Sequence, residues 1–435
     1  LARLLHLHAA QGGSAILMSA TLDLTLRAQL VAAFELMGDG PRVMQDPETF
    51  EAGIRAPNAP DMLFIDSCGG QTVKNNADLL VKRGRYPVLP PALAAMALYT
   101  LQAHAPLGGA GNRTSMRGGG PMVTLVDPGQ GLWPLVWANV PYGTPSAPKD
   151  LPWMQAARTS ENDRKVYPAD VTPIVAFFGM PRRLRLVAGD GGISGVVQRP
   201  YGANYADWPH PLTPYYRVKA GSELLPRHPR AGAFGYRNWL GVVARRKSGD
   251  DLARRAQVLQ VWQQRSLVQP EVIVAGWSMD NMKPRDFTFS RAPLIELPDD
   301  LADRMEGMIE AAETFGVVLR GALAPVLAEG EAREAAREGY YLRGQAAFES
   351  RLAGLAADPE GAARGWLADL RAVAVGMFDD LALPGLAERD TRDQAEIVQA
   401  RRNLTAAFAG YGKLGGQAFV ALGLPVPEQK RSKAA

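Results

Sequence analysis

The sequence holds a single cysteine, Cys68, among 435 residues. That count excludes an intrachain disulfide framework and a four-cysteine zinc site. Histidine is scarce too: the five are His6, His8, His104, His210 and His228. His6 and His8, two positions apart, would point to different faces of a helix. No apolar run reaches the roughly 18 residues a membrane span needs. The opening residues lack the basic, apolar, small order of a signal peptide. A cytoplasmic protein with no membrane contact is therefore expected. Also missing are a G-x-x-x-x-G-K-[ST] phosphate loop, an H-E-x-x-H metal motif and a G-x-S-x-G nucleophile motif. His104 with Cys68 is a conceivable nucleophile pair, but a buried free thiol is the ordinary role for such a cysteine. The expectation is no catalytic site, hence no enzyme, no cofactor and no metal.

Apolar residues make up 47% of the chain and charged residues 21%, the balance of a globular protein. The length has room for two or three domains. The 45 glycines and 33 prolines point to long ordered loops. The net charge of +4 is unevenly placed: residues 1–298 carry +9 and residues 299–435 carry −5. Within the second stretch, 299–400 is −10 and 401–435 is +5. A basic N-terminal body and a basic end could meet phosphate at two places. Solvated surface charge would give the same numbers.

Three zones follow, and together they predict an α+β protein: an irregular mixed N-terminal domain followed by a C-terminal four-helix bundle. Residues 1–33 read as helix, short strand (Ala15-Ile16-Leu17-Met18) and helix. Residues 34–298 are irregular, with buried strands predicted at Met62–Ile65 and Glu271–Val274 and a helix over 89–104 behind Pro90-Pro91. Residues 299–435 carry apolar stripes at helical spacing, beginning with Leu301, Met305, Met308 and Ile309. A second helical stretch over 331–357 stops at Asp358-Pro359. Two more follow, and four amphipathic helices with short connections pack most simply as an antiparallel bundle.

The most informative stretch is Gly108-Gly109-Ala110-Gly111-Asn112-Arg113-Thr114-Ser115-Met116-Arg117-Gly118-Gly119-Gly120. Glycines let a backbone approach another surface closely, and successive N–H groups bind anions. Arg113 and Arg117 add charge, while Asn112, Thr114 and Ser115 add short hydrogen-bonding groups. Such a set suits a nucleic-acid backbone or minor groove; by pattern alone, a flexible surface loop fits equally well. Gly276–Arg285 mixes apolar, polar and basic tips, and could wedge into a duplex or form an ordinary turn.

At these residues the chain resembles the CasA family, the large subunit of the type I-E CRISPR surveillance complex Cascade. The likeness runs from Ala105 to Thr124 and returns at Gly38–Asp46, Phe178–Arg183 and Gly276–Lys283, in the family's order, over about 34–435. It implies a non-catalytic subunit that finds the protospacer-adjacent motif (PAM) in double-stranded DNA and helps open the duplex for R-loop formation. Such a subunit also recruits the helicase–nuclease of antiviral defence. The implied partners are target DNA, the 5′ end of the guide RNA, other Cascade subunits and the helicase–nuclease. By position, Gly108, Gly109, Gly111, Asn112, Arg113, Thr114, Ser115 and Arg117 fall in the PAM-reading loop. Asn281, Met282 and Lys283 fall in the wedge, where some relatives carry Gln-Ala in place of Met-Lys. Lys74, Asn75 and Lys82, with Arg83 and Arg85, fall in a mobile loop near the PAM and the guide RNA; Arg401 and Arg402 face the opened strands. Some relatives hold a zinc site near 187–205, but this chain has no cysteine there.

Residues 1–33 do not resemble that family. Ser19-Ala20-Thr21 and its flanks resemble the Ser-Ala-Thr motif of superfamily 2 helicases, especially the CRISPR helicase–nuclease. The phosphate loop and metal-binding motif of an ATPase are missing. The expected organisation is therefore an orphan helicase-like fragment (1–33), a large-subunit domain with PAM-reading loops (34–298) and the helical domain (299–435). The alternatives are a nonfunctional gene-junction product and a helicase-derived ATPase fragment.

Overall fold

A computed structural model describes residues 24–48, 56–67, 69–76, 78, 82–109, 111–141, 143, 146–246, 252–280 and 283–428. The Ala15–Met18 run, Ser19-Ala20-Thr21, Cys68, Asn281 and Met282 lie outside the described residues. Helix and sheet are mixed, as an α+β class requires. Among the described residues no helix is long and apolar enough to cross a membrane. The chain divides into two compact units. The first takes Leu1–Tyr216, Ser222–Ala231 and Ala256–Pro293; the second takes Arg217–Gly221, Gly232–Arg255 and Leu294–Ala435.

In the first unit, α1 (Leu24–Ala33) leads to Phe34, whose ring meets Trp153 and Phe178 edge-on at 5.4 and 5.9 Å. A short α2 covers Gly70–Lys74. Helix α3 (Pro91–His104) begins with Pro91 at its first position, where a missing N–H costs nothing. Ala94, Ala97, Leu98 and Leu101 form its buried stripe, against a core that includes Leu63, Leu89, Leu184, Ile193 and Val196. The hairpin β2 (Arg183–Gly189) and β3 (Gly192–Arg199) packs into the same core. Buried Gln102 ties helix to hairpin: its amide donates to the Met44 and Arg182 carbonyls at 3.1 and 2.9 Å and accepts from the Arg182 N–H.

A second sheet joins β1 (Val123–Asp127), β4 (Glu271–Asp280) and β5 (Lys283–Pro293), antiparallel with β4 central. The strand expected at Glu271–Val274 runs six residues further, through Asp280. The stretch Gly276–Arg285 is thus mostly strand rather than loop, and Asp280 pairs with Lys283 across the hairpin end. The strand expected at Met62–Ile65 is instead a 3-10 turn over Pro60–Leu63. Leu63 and Ile65 are buried there as predicted for core residues. Pro60 opens the turn, and the Asp61 carboxylate accepts from the Tyr86 N–H at 2.9 Å, which fixes it outside any sheet. Three shorter helices, α4 (Leu132–Ala138), α5 (Val175–Phe178) and α6 (Gln257–Arg265), complete the unit.

The second unit holds α7 (Asp299–Ala322), α8 (Glu331–Gly354), α9 (Pro359–Ala382), α10 (Thr391–Ala407) and a short α11 (Gly412–Ala421). The Asp358 and Asp390 carboxylates cap α9 and α10 by accepting from the Gly361 and Asp393 N–H groups. Met305, Met308, Ile309, Ala312, Phe315 and Leu319 of α7 are all buried, and α7 touches the other four helices. Trp366 donates to the Met308 carbonyl at 2.9 Å, and Phe315 stacks on Phe408 at 3.9 Å. Tyr236 stacks on Phe348 at 4.5 Å, which explains why residues 232–255 belong with these helices although they precede them in sequence.

Candidate nucleic-acid interface

The glycine loop doubles back on the end of α3. Ser115 N–H donates to the Ala105 carbonyl at 2.9 Å, Gly120 N–H to the His104 carbonyl at 3.0 Å, and the Thr114 hydroxyl to the Ala105 carbonyl. Gly108 N–H reaches the Asn112 carbonyl at 3.0 Å, and Asn112 N–H the Gly109 carbonyl at 2.7 Å, closing a tight turn at the tip. Leu107, Gly108 and Gly109 are the exposed part. The rest is held from both sides. Tyr201 N–H donates to the Gly111 carbonyl at 2.8 Å, and Gln198 of β3 donates to the Asn112 side chain at 2.7 Å.

Gly120 has φ +63°, and a Cβ there would meet the Trp277 carbonyl oxygen at 2.6 Å and the Trp277 Cβ at 2.8 Å. The fit is reciprocal: a Cβ on Gly276 would meet the Pro121 carbonyl at 2.6 Å. Loop and β4 are therefore in backbone contact, and only glycine allows it. Through β4, the loop shares its support with the hairpin end that carries exposed Lys283.

The arginines divide by environment. Arg113 is partly exposed; it donates to the Ser160 hydroxyl at 2.8 Å and reaches Asp163 at 3.5 Å. Arg117 differs from the surface group the sequence suggested: it is 5% exposed, beneath the loop. Its guanidinium donates to the Thr213 hydroxyl and the Ala103 carbonyl at 3.0 and 3.3 Å. Ser115 is buried as well, donating to the Gly118 carbonyl. Burial pulls the Arg117 guanidinium below its ordinary value; the phenols of Tyr99 and Tyr215 act in the opposite sense. Burial and this cation together hold His104 down to about 3 and push His210 and His228 below the usual imidazole value. The histidines are neutral at pH 7, so the positive charge under the loop belongs to arginine. In a low-dielectric support such a charge acts at long range on anions above it.

Sequence reasoning passed over three contributors to this site. Arg182 was seen only as part of a resembling stretch. It is buried and donates to the Pro106 carbonyl at the start of the loop. Tyr201 and His228, both exposed, lie against Gly111 and Gly118. None of the three stands near the loop in sequence.

The remaining predicted residues have no described contact with the loop. Lys74, Asn75 and Lys82 are exposed; Asn75 accepts from Gln71 at 3.2 Å. Arg83 is bound to Asp78, and Arg85 to Asp66. In the second unit, Arg401 makes two bonds of 2.7 Å to Asp379, while Arg402 is exposed.

The architecture is that of CasA-type CRISPR proteins. CasA of Thermus thermophilus matches at 18% identity with a TM-score of 0.63, covering 90% of this chain and 82% of that one. Cse1 of Thermobifida fusca matches at 18% identity with a TM-score of 0.64, covering 97% and 89%. A chain of a structure described as a CRISPR RNA-guided surveillance complex matches at 18% identity with a TM-score of 0.62, covering 87% and 80%. No curated protein matches the sequence. The family described as CRISPR-associated protein Cse1 matches residues 24–377, and the chain belongs to that family.

Proposed function

We propose that the chain is the non-catalytic large subunit of a type I-E Cascade, reading the PAM in double-stranded DNA with its glycine loop. The observation that carries this reading is the backbone contact between Gly120 and Trp277, which couples the loop to the hairpin ending at Lys283. A loop that approaches a groove and a hairpin tip that parts base pairs must keep a fixed spacing, and shared support gives it. Arg113 and Lys283 would hold phosphates, while Arg117 and Arg182 would bias the loop toward anions from below. Asn281 and Met282 complete the wedge. The loop around Lys74, Asn75 and Lys82 faces the guide-RNA 5′ end. The second unit, with its four long helices α7–α10 in the place of the family's bundle, offers Arg402 to the opened strands and meets other Cascade subunits. Recruitment of the helicase–nuclease follows R-loop formation. Division of labour fits this chemistry: the protein reads a short motif and shape, and base pairing reads sequence.

The test is a gel-shift titration. Cascade lacking its large subunit is combined with this chain and offered duplexes with and without candidate PAMs at fixed salt. PAM-dependent binding above that of the core complex is expected. Equal binding to every duplex, with no gain over the core complex, would overturn the reading.

A further inference from the structure

On the first unit a cavity of about 400 Å³ opens between residues 150–158 and 169–183. Its apolar wall is Val171, Val175, Met180, Ala203 and Tyr205. Two buried polar atoms on its lining residues have no partner: Nε of Arg182 and the hydroxyl of Thr172. Arg182 is only 7% exposed, and burial alone draws its guanidinium down to about 10. A desolvated donor without an acceptor is unfavourable, so this wall of the cavity is not optimised for stability alone. The cavity shares Arg158 and Asp170 with a neighbouring groove of about 620 Å³ that adds Arg164 and Lys165. A chamber with one apolar wall, carboxylates beside it and three cations at its mouth suits a molecule with a flat body, polar edges and an anionic end.

We propose that this cavity binds a single unpaired nucleotide, base inside and 5′-phosphate over Arg158, Arg164 and Lys165. The carboxylates of the lining fix the orientation. Asp46 is bound by Arg183, Asp150 accepts from the Ala147 N–H, and Asp170 accepts from the Tyr167 N–H. Asp46 is neutralised by Arg183, so inside the cavity a phosphate would face the Asp150 and Asp170 carboxylates, whereas Arg158, Arg164 and Lys165 gather at the mouth and hold it there. A base suits the interior: its ring lies on the apolar wall and its amino group donates to the Asp150 or Asp170 carboxylate. Cytosine, adenine and guanine carry that amino group, and thymine lacks it. Arg182 also donates to the Pro106 carbonyl, so the occupied cavity abuts the base of the glycine loop. The ligand could be a free mononucleotide or a nucleotide extruded from a strand.

The full-length chain is titrated calorimetrically with dCMP, dTMP and inorganic phosphate. Saturable dCMP binding is expected, at least fivefold tighter than dTMP, with no saturation by phosphate. Ala203→Leu fills the chamber and Arg158→Ala removes a cation from the mouth; each should weaken dCMP at least tenfold. If Ala203→Leu fails to fold, Thr172→Val takes its place. A second arm compares a PAM-free duplex bearing one bulged cytidine with the same duplex bearing an abasic site. A preference for the bulge that Ala203→Leu or Thr172→Val abolishes assigns the ligand to a strand, and equal binding alongside dCMP binding assigns it to free nucleotide. Absence of binding in both arms, binding insensitive to these variants, or phosphate binding as well as dCMP would overturn the proposal. Because neither arm contains a PAM, that failure leaves the PAM-reading proposal standing.

Discussion

The carbonyl oxygen of Trp277 lies 2.6 Å from where a Cβ on Gly120 would stand. Gly120→Ala therefore meets a backbone atom in a strand, which has no side-chain freedom with which to yield, and also adopts φ +63°. About 2–4 kcal/mol of destabilisation is expected from clash and backbone strain together. Gly109→Ala shares the φ of +63° but meets nothing within 4 Å, so only the strain of about 1 kcal/mol applies. Chemical denaturation of both variants checks the order. Equal losses would mean that loop and strand are not in the contact described.

Arg113 and Lys283 separate two kinds of contribution to DNA binding. Lys283 is exposed at the hairpin end, so Lys283→Ala should weaken binding uniformly and lower the slope of log affinity against log salt by about 0.9. Arg113 also braces the loop through Ser160. Arg113→Ala should lower the slope similarly and in addition reduce discrimination between PAM and non-PAM duplexes. Unchanged slopes in both would remove these residues from the interface.

Much of this was legible beforehand, for physical reasons that differ by element. The apolar stripe from Met305 to Leu319 repeats at helical spacing because one face of α7 is buried along its length. Asp358-Pro359 reads as the stop of the 331–357 stretch, and in the fold it also starts α9, where the carboxylate caps and the proline needs no donor. No stripe of that kind marks α11, where Gly412, Gly415 and Gly416 carry no side chains to place on a face. Their absent side chains serve packing instead: a Cβ on Gly415 would meet the Ala407 carbonyl at 2.6 Å. Site residues came from the motif likeness rather than from pattern, which left the loop ambiguous. Burial of Arg117 had no local signal. Thr213 and His228 reach it from distant parts of the chain, and only the fold brings them there.

Burial of His104, assisted by the Arg117 charge, sets a pH dependence. His104 is held to about 3, against about 6.5 in the unfolded chain. The lowered value means the unfolded state binds the proton first. Stability is therefore complete above pH 6.5 and is lost as pH falls toward 3. From His104 alone the loss between pH 6.5 and 5 should be about 2 kcal/mol, and His210 and His228 act in the same direction. Denaturation midpoints at pH 7 and pH 5 measure it, and His104→Gln should flatten the dependence. An unchanged slope in that variant would show that His104 does not stay neutral in the fold.

Arg117→Met tests the buried charge itself. Replacing a desolvated cation by an apolar chain of similar length is often neutral or stabilising, since the desolvation penalty goes with it. Thr213 loses one partner, at about 1 kcal/mol. Stability at pH 7 should change by no more than about 1 kcal/mol either way. Removing the cation should raise the pKa of His104, readable in the imidazole NMR titration. DNA affinity at low salt should fall despite the intact fold. A severe loss of stability with unmoved histidines would mean that the guanidinium serves packing rather than field.

In the second unit, a Cβ on Gly307 of α7 would collide with the Ala421 carbonyl oxygen, so the end of α11 is in backbone contact with α7. Gly307→Ala leaves α7 a better helix by about 1 kcal/mol of propensity, yet it forces α11 off its seat. The net loss should be about 2–3 kcal/mol, as overpacking against backbone has no side chain to absorb it. The buried residues Ala418 and Leu422 would then open to water, and hydrogen exchange over 412–422 should rise before that of α8 and α9. Gly321, also on α7 with nothing within 4 Å of its Cβ position, supplies the control: Gly321→Ala should raise stability by up to about 1 kcal/mol. If both substitutions stabilise, α11 is not held by this contact.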